Sequence, residues 1–158
     1  MVKTLSEEIE VKVPAREAWT IFGSLKLAKI AVEALPNQFS ELKVLKGDGS
    51  AGTIIQIFFT PGTGGPAYYK ELFKVVDNHR LVKEAEVVEG GALEQGFSYF
   101  GTVLEVKAKE GKKGESIVRG TIVYELKEEA AGTAVSTDGL LNILHIAADY
   151  LIKNHHCD

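Results

Sequence analysis

Two charged side chains in one stretch of this sequence, Glu71 and Lys83, fall on otherwise apolar strand faces and could do acid–base chemistry. The run from Ala67 to Asp77 reads as a strand, so its side chains alternate between two faces. One face carries Ala67, Tyr69, Glu71, Phe73 and Val75, and the other Tyr68, Lys70, Leu72, Lys74 and Val76. The next run places Leu81, Lys83, Ala85 and Val87 on one face and Val82, Glu84, Glu86 and Val88 on the other. In each run the more apolar face is expected to point inward, and each carries one charge. A buried carboxylate or ammonium is costly unless it is paired or functional. Burial raises a Glu pKa and lowers a Lys pKa, towards the range useful for proton transfer near neutral pH. Two structural readings stand beside this one: Glu71 and Lys83 form an ion pair, or a β-bulge turns them outward.

Other chemistry finds less support. His145 and Asp149 are one helical turn apart and could both ligate a metal, but no second His or Cys cluster accompanies them. His79 falls in a turn, and His155 and His156 lie in the tail. No metal and no cofactor are therefore expected. The loop Gly47-Asp48-Gly49-Ser50-Ala51-Gly52-Thr53 is rich in glycine, yet it leads into Ile54 and Ile55 rather than the Gly-Lys-Ser/Thr and helix of a phosphate loop. A hairpin is the expected role. No nucleophile-elbow motif supports a Ser-His-Asp hydrolase.

The elements that must position these residues follow from periodicity. Leu5 to Val13 alternates as a half-buried strand that ends at Pro14. Two short helical stretches follow, one with Trp19, Ile21 and Phe22 stopping at Gly23, the other with Leu27, Ile30, Ala31 and Leu35 stopping at Pro36. Further strands are predicted near Phe39–Lys46, Thr53–Thr60, Ala67–Asp77, Arg80–Glu89, Ala92–Lys109 and Glu115–Lys127, joined by glycine-rich turns that favour antiparallel neighbours. The final stretch, Asp138 to Asn154, is a helix whose polar residues Asn142, His145, Asp149 and Lys153 form one narrow stripe. It is expected to be buried over most of its circumference. The order implies an α+β fold, one curved sheet closing over one helix.

With 158 residues, 45% hydrophobic and 25% charged, the chain is expected to form a single domain over residues 1–158. A net charge of −4 argues against a nucleic-acid partner, and Lys109, Lys112 and Lys113 read as a solvated turn. The single cysteine, Cys157, allows no internal disulfide. No signal peptide and no membrane-spanning apolar run is evident, so a cytoplasmic protein without a membrane partner is expected. The expected assembly is a monomer or a weak homodimer.

Gly47 to Thr53 also resembles the glycine-rich loop of the plant birch-pollen-allergen (Bet v I) or class-ten pathogenesis-related family. Val88-Glu89-Gly90-Gly91 resembles a second signature of that family. The resemblance runs from about Leu5 to Leu151. It implies the helix-grip (START-like) fold: a seven-stranded antiparallel sheet curved around the long C-terminal helix, two short supporting helices and an internal hydrophobic cavity. Within the family, Thr4 to Pro36, Tyr69-Lys70-Glu71 and Lys83-Glu84-Ala85 look most like the norcoclaurine and norbelladine synthase branch. The first kind joins dopamine to an aryl acetaldehyde with Pictet–Spengler ring closure. The second condenses tyramine with a dihydroxybenzaldehyde to an open imine. The resemblance puts the catalytic tyrosine of norcoclaurine synthases at Tyr69, the glutamate at Glu71 and the lysine at Lys83. Their aspartate position falls on Thr102 and is missing here, as it is in norbelladine synthases. The latter carry their tyrosine at the position of Tyr68, so both tyrosines remain candidates, with alternation favouring Tyr69. The implied function is condensation of an arylethylamine with an aromatic or aryl aldehyde in alkaloid biosynthesis, with Lys83, Glu71 and Tyr69 catalytic. The other reading is a non-catalytic carrier of phytohormones or other small hydrophobic metabolites. Expected substrate-contacting residues are Tyr68, Phe73, Ile30, Phe100, Thr102, Leu140, Leu144 and Ala148.

Overall fold

The computed structural model describes residues 1–155; Cys157 and His156 lie outside them. The elements run β1 (Lys3–Val11), α1 (Ala15–Phe22), α2 (Lys26–Ala34), β2 (Phe39–Lys46), β3 (Ile54–Phe59), β4 (Tyr68–Asp77), β5 (Val82–Gly90), β6 (Phe97–Lys109), β7 (Lys112–Leu126) and α3 (Asp138–Lys153). Short 3-10 turns occupy Gly91–Glu94 and Glu128–Ala130. The strands form one seven-stranded sheet in the order β1-β7-β6-β5-β4-β3-β2, antiparallel throughout. From β2 to β7 each strand pairs with the next, as short turns require. The connection from β1 to β2 is different: α1 and α2 carry the chain from one sheet edge to the other. This is the α+β, helix-grip arrangement expected from the sequence.

Local chemistry explains the boundaries. The Pro14 carbonyl accepts from the Ala18 N–H at 3.0 Å and opens α1. Gly23 closes that helix because a Cβ there would lie 2.2 Å from the Trp19 ring. The Gly47–Thr53 loop is a structural hairpin: buried Thr53 accepts from the Gly49 N–H at 2.8 Å, and a Cβ on Gly47 would strike Thr53. The strand expected from Ala92 starts only at Phe97. Gly90 and Gly91, with φ of 72° and 51°, turn the chain into a 3-10 turn first.

Apolar residues gather in two clusters. One joins β1, β6, β7, α1 and the second half of α3 through Val11, Trp19, Phe22, Val118, Ala147 and Leu151. The other joins α2 to the β2–β5 side through Phe39, Ile55, Ile57, Phe73 and Ala85. Along α3 the predicted stripe of Asn142, His145, Asp149 and Lys153 is exposed. The helix is more open than expected, however, since Tyr150 and Ile152 are 41% and 48% exposed. Among the described residues, no helix is long and apolar enough to cross a membrane.

Strict alternation fails at one point in β4. Phe73 pairs with Ala85 but Val75 pairs with Glu84, leaving Lys74 as an extra, bulged residue. A bulge reverses the facing of everything beyond it. Val75 is therefore exposed, and Val76 packs against both core clusters. Exchanging their faces by sequence alternation alone would predict the opposite sensitivity to charge. The structure predicts that Val76→Asp lowers stability in urea unfolding by about 3 kcal/mol or more, while Val75→Asp stays within about 0.5 kcal/mol of the parent.

Candidate active site

A cavity of about 350 Å³ lies between the sheet and the helices, within the ~300–1,000 Å³ range of small-molecule sites. The β4–β5 ladder builds its reactive wall in successive rows. Tyr69 stands opposite Gly90, Glu71 opposite Val87, Phe73 opposite Ala85, and Lys83 opposite Val76 beyond the bulge. Tyr69, Glu71, Phe73 and Lys83 all line the cavity. The sheet's alternation thus sends one phenol, one carboxyl and one amine into the same apolar space, with an aromatic ring between the two charges.

The expected alternative of a structural ion pair does not hold. Among the described residues, Glu71 and Lys83 do not approach within the 4.0 Å of an ion pair. Lys83 is 5% exposed. Its Nζ donates to the Ser24 carbonyl at 3.3 Å and sits 4.1 Å from the centroid of the Phe73 ring. Ser24 belongs to the corner between α1 and α2, so the helix pair holds the amine from above while β5 supplies it from below. Neither neighbour is an anion. Burial consequently dominates and lowers the Lys83 pKa to about 8, with the more distant Glu71 charge opposing the shift. Burial likewise raises the pKa of Glu71, offset in part by Lys83. Glu71 is half-buried and lines the cavity. Tyr69 is raised as well, by burial first and by Glu71 second, and remains a neutral hydrogen-bond donor.

Adjacent residues on a strand face opposite ways, and Tyr68 follows that rule. Its hydroxyl donates to Glu89 Oε2 at 2.5 Å on the outer face of the sheet, where Lys70 also pairs with Glu89 at 3.1 Å. Tyr68 does not line the cavity, a correction to its place among the substrate-contacting residues. Phe100, Thr102, Leu140 and Leu144 do line it. Ile30 and Ala148 do not, and both belong to the core around α1 instead. Helix geometry gives the reason. The cavity face of α2 is Leu27, Ala28, Ala31 and Val32, and that of α3 is Gly139, Leu140, Ile143 and Leu144. One turn further along α3, Ala147 and Ala148 meet the cluster that holds Trp19 and Phe22, and no space is left.

Several lining residues escaped the sequence reading. Ile57 and Phe59 share a β3 face and were open to the same alternation argument applied to Tyr69. Gln38 and Ser136 sit outside the regular elements, where no periodicity marks them. Gly91 is tied to Tyr69, because a Cβ there would lie 2.7 Å from the tyrosine Cβ. The absence of a side chain at Gly91 lets the phenol occupy its place. Among the described residues, no group of three or more His, Cys, Asp or Glu side chains is placed to hold a metal ion. His145 and Asp149 lie on the exposed stripe of α3.

Comparison with known proteins finds named relatives. Norbelladine synthase of Narcissus pseudonarcissus is 36% identical, over 99% of this chain and 97% of its own length. S-norcoclaurine synthase of Thalictrum flavum subsp. glaucum is 33% identical, over 98% of this chain and 73% of its own. Among solved structures, norcoclaurine synthase from Thalictrum flavum in complex with dopamine and hydroxybenzaldehyde superposes with a TM-score of 0.83. It shares 28% identity and is covered over 90% of its length by 99% of this chain. Ara h 8.0201, at 14% identity, has the same fold with a TM-score of 0.78. The model of the pathogenesis-related protein Bet v 1 family matches residues 1–154, and the chain belongs to that family.

Proposed function

We propose that this protein is a condensing enzyme that joins an arylethylamine to an aromatic or aryl aldehyde, giving an imine or iminium. The observation that carries this reading is an amine and a carboxyl, Lys83 and Glu71, that form no ion pair among the described residues and stand on one wall of an apolar cavity with Tyr69 beside them. A carrier of apolar ligands needs neither charge, and burying both costs stability. The likeness to norbelladine and norcoclaurine synthases over nearly the whole chain supports the same chemistry.

Imine formation needs protons moved on and off a carbonyl oxygen and a nitrogen. Lys83, with a pKa of about 8, populates both protonation states near neutrality and serves as general acid and base while the carbinolamine forms and loses water. Tyr69 remains protonated and positions the carbonyl or a substrate phenol by donating a hydrogen bond. Glu71 offsets the positive charge that develops on the iminium nitrogen. Where a ring closes, Glu71 also accepts the aromatic proton. The enclosing walls bring two planar reactants together and exclude competing water.

Two outcomes test this reading. Tyramine or dopamine incubated with 4-hydroxybenzaldehyde or an aryl acetaldehyde gives condensation product above the buffer rate, and Lys83→Met lowers kcat/KM by about 100-fold or more. A rate no higher than buffer for every pair would sink the proposal.

The same substitution stabilises the fold at neutral pH, because it removes a buried charge. Below about pH 8 the folded and unfolded chains both carry the Lys83 proton, and the burial cost stands undiminished. Between about 8 and 10.5 the folded chain loses that proton while the unfolded chain keeps it, so parent stability rises. The advantage of Lys83→Met, on the order of 3 kcal/mol at pH 7, therefore shrinks across that window in urea unfolding. Glu71→Gln removes the charge that holds the Lys83 pKa up, and NMR of the methylated lysine then shows Lys83 titrating at lower pH than in the parent.

Thr102 faces Ala85 across the β5–β6 ladder and lines the cavity without offering a carboxylate. With dopamine the parent accordingly releases mainly open imine, seen as the secondary amine after borohydride reduction. Thr102→Asp raises the ring-closed fraction. Dominant, stereospecific ring closure by the parent would contradict this assignment.

A further inference from the structure

We infer that Lys83 is itself a nucleophile: it captures the aldehyde as a protonated Schiff base within the cavity and hands it to the incoming amine. The inference rests on the condensation reading above and gives its first step a covalent form.

The surroundings of Nζ are the ground for it. A lysine that serves only as a fixed charge is normally anchored by an anion, and no carboxylate oxygen of the described residues lies within 4.0 Å of this one. Its one hydrogen bond, to the Ser24 carbonyl, is 3.3 Å long. The other two positions on the nitrogen are not taken by any hydrogen bond to the described residues. Desolvation in an apolar pocket is a recognised way to make a lysine amine nucleophilic towards carbonyl compounds. At pH 7 roughly a tenth of Lys83 is neutral, several hundred-fold more than for an ordinary lysine.

The same surroundings suit the product of capture. A protonated Schiff base keeps one N–H and one positive charge on Nζ. The N–H can go on donating to the Ser24 carbonyl, and the charge can stay against the Phe73 ring, 4.1 Å away, which favours a cation over its face. The apolar walls limit the water that would hydrolyse it. Nothing has to be rebuilt when the ammonium becomes an iminium.

The steps balance without a redox partner. Neutral Nζ adds to the carbonyl carbon, a C–N bond forms, and the carbonyl π pair moves to oxygen. That oxygen leaves as water, taking one proton from the amine and one from solvent. The arylethylamine nitrogen then adds to the iminium carbon. A proton passes from the new nitrogen to Nζ, the bond from carbon to Nζ breaks, and the iminium product departs as Lys83 returns to the free amine.

The experiment uses the whole chain and isotopically labelled 4-hydroxybenzaldehyde. With sodium cyanoborohydride and no amine, peptide mapping is expected to find one hydroxybenzyl group on Lys83 ahead of the exposed lysines, with the yield rising through about pH 8. Lys83→Arg, which keeps the charge but not the nucleophile, is expected to lose that adduct, while the outer-face control Lys74→Arg keeps it. In a chase without reductant, chain preloaded with labelled aldehyde is mixed with tyramine and excess unlabelled aldehyde. Label in the first-turnover product supports the inference. Condensation that proceeds with Lys83 unmodified and no label transferred overturns it and leaves the condensation reading standing. An adduct on Lys83 that tyramine cannot discharge, with no product from free substrates, overturns both.

Discussion

Strand parity is the constraint on which the cavity depends. In β4 and β5 a side chain points inward or outward according to its place in the pleat, and a slip of one residue would send the whole set to water. With the observed register, Tyr69, Glu71 and Phe73 arrive on the inner side of β4 and Lys83 on the inner side of β5. The bulge at Lys74 falls after Tyr69, Glu71 and Phe73 on β4. It returns Val76 to the core opposite Lys83 and leaves the reactive residues undisturbed. Phe73 follows Glu71 on that inner side, and the Lys83 amine lies 4.1 Å from its ring centroid.

The remainder of the molecule surrounds that wall with apolar groups without filling the space in front of it. The core around α1 closes one end, where Trp19, Phe22, Ala147 and Leu151 pack densely. At the other end α2 and the first half of α3 stand over the sheet and contribute small or apolar residues: Ala28, Ala31, Gly139 and Leu140. Helix α3 therefore has two roles along its length, lining the cavity in its first turns and joining the core in its later ones. The two clusters supply stability, and the unfilled volume between them supplies the site.

Much of this was legible in the sequence because it follows from period. Two charged residues on otherwise apolar strand faces identified Glu71 and Lys83, and the same alternation separated Tyr69 from Tyr68. The fold class followed from the order of elements and from turns too short for parallel crossovers. What periodicity could not carry were the events that interrupt it. The Lys74 bulge exchanged Val75 for Val76, and the positive φ angles at Gly90 and Gly91 delayed β6. Ile30 and Ala148 were apolar and on plausible helix faces, but only the packing of α1 decides where cavity gives way to core. The Ser24 carbonyl was invisible for another reason: backbone atoms have no residue type, and any sequence at that corner offers one.

That corner has an optical consequence. The chain has one tryptophan, and its indole N–H donates to Asn78 Oδ1 at 2.8 Å while its ring lies against Gly23. The next residue, Ser24, presents the carbonyl that accepts the hydrogen bond from Lys83 Nζ. The protein thus has a single indole, held by Asn78 and lying against Gly23, the residue that precedes the carbonyl contact of its amine. Emission from this indole reports on the back of the site without a label, with no second tryptophan to dilute the signal.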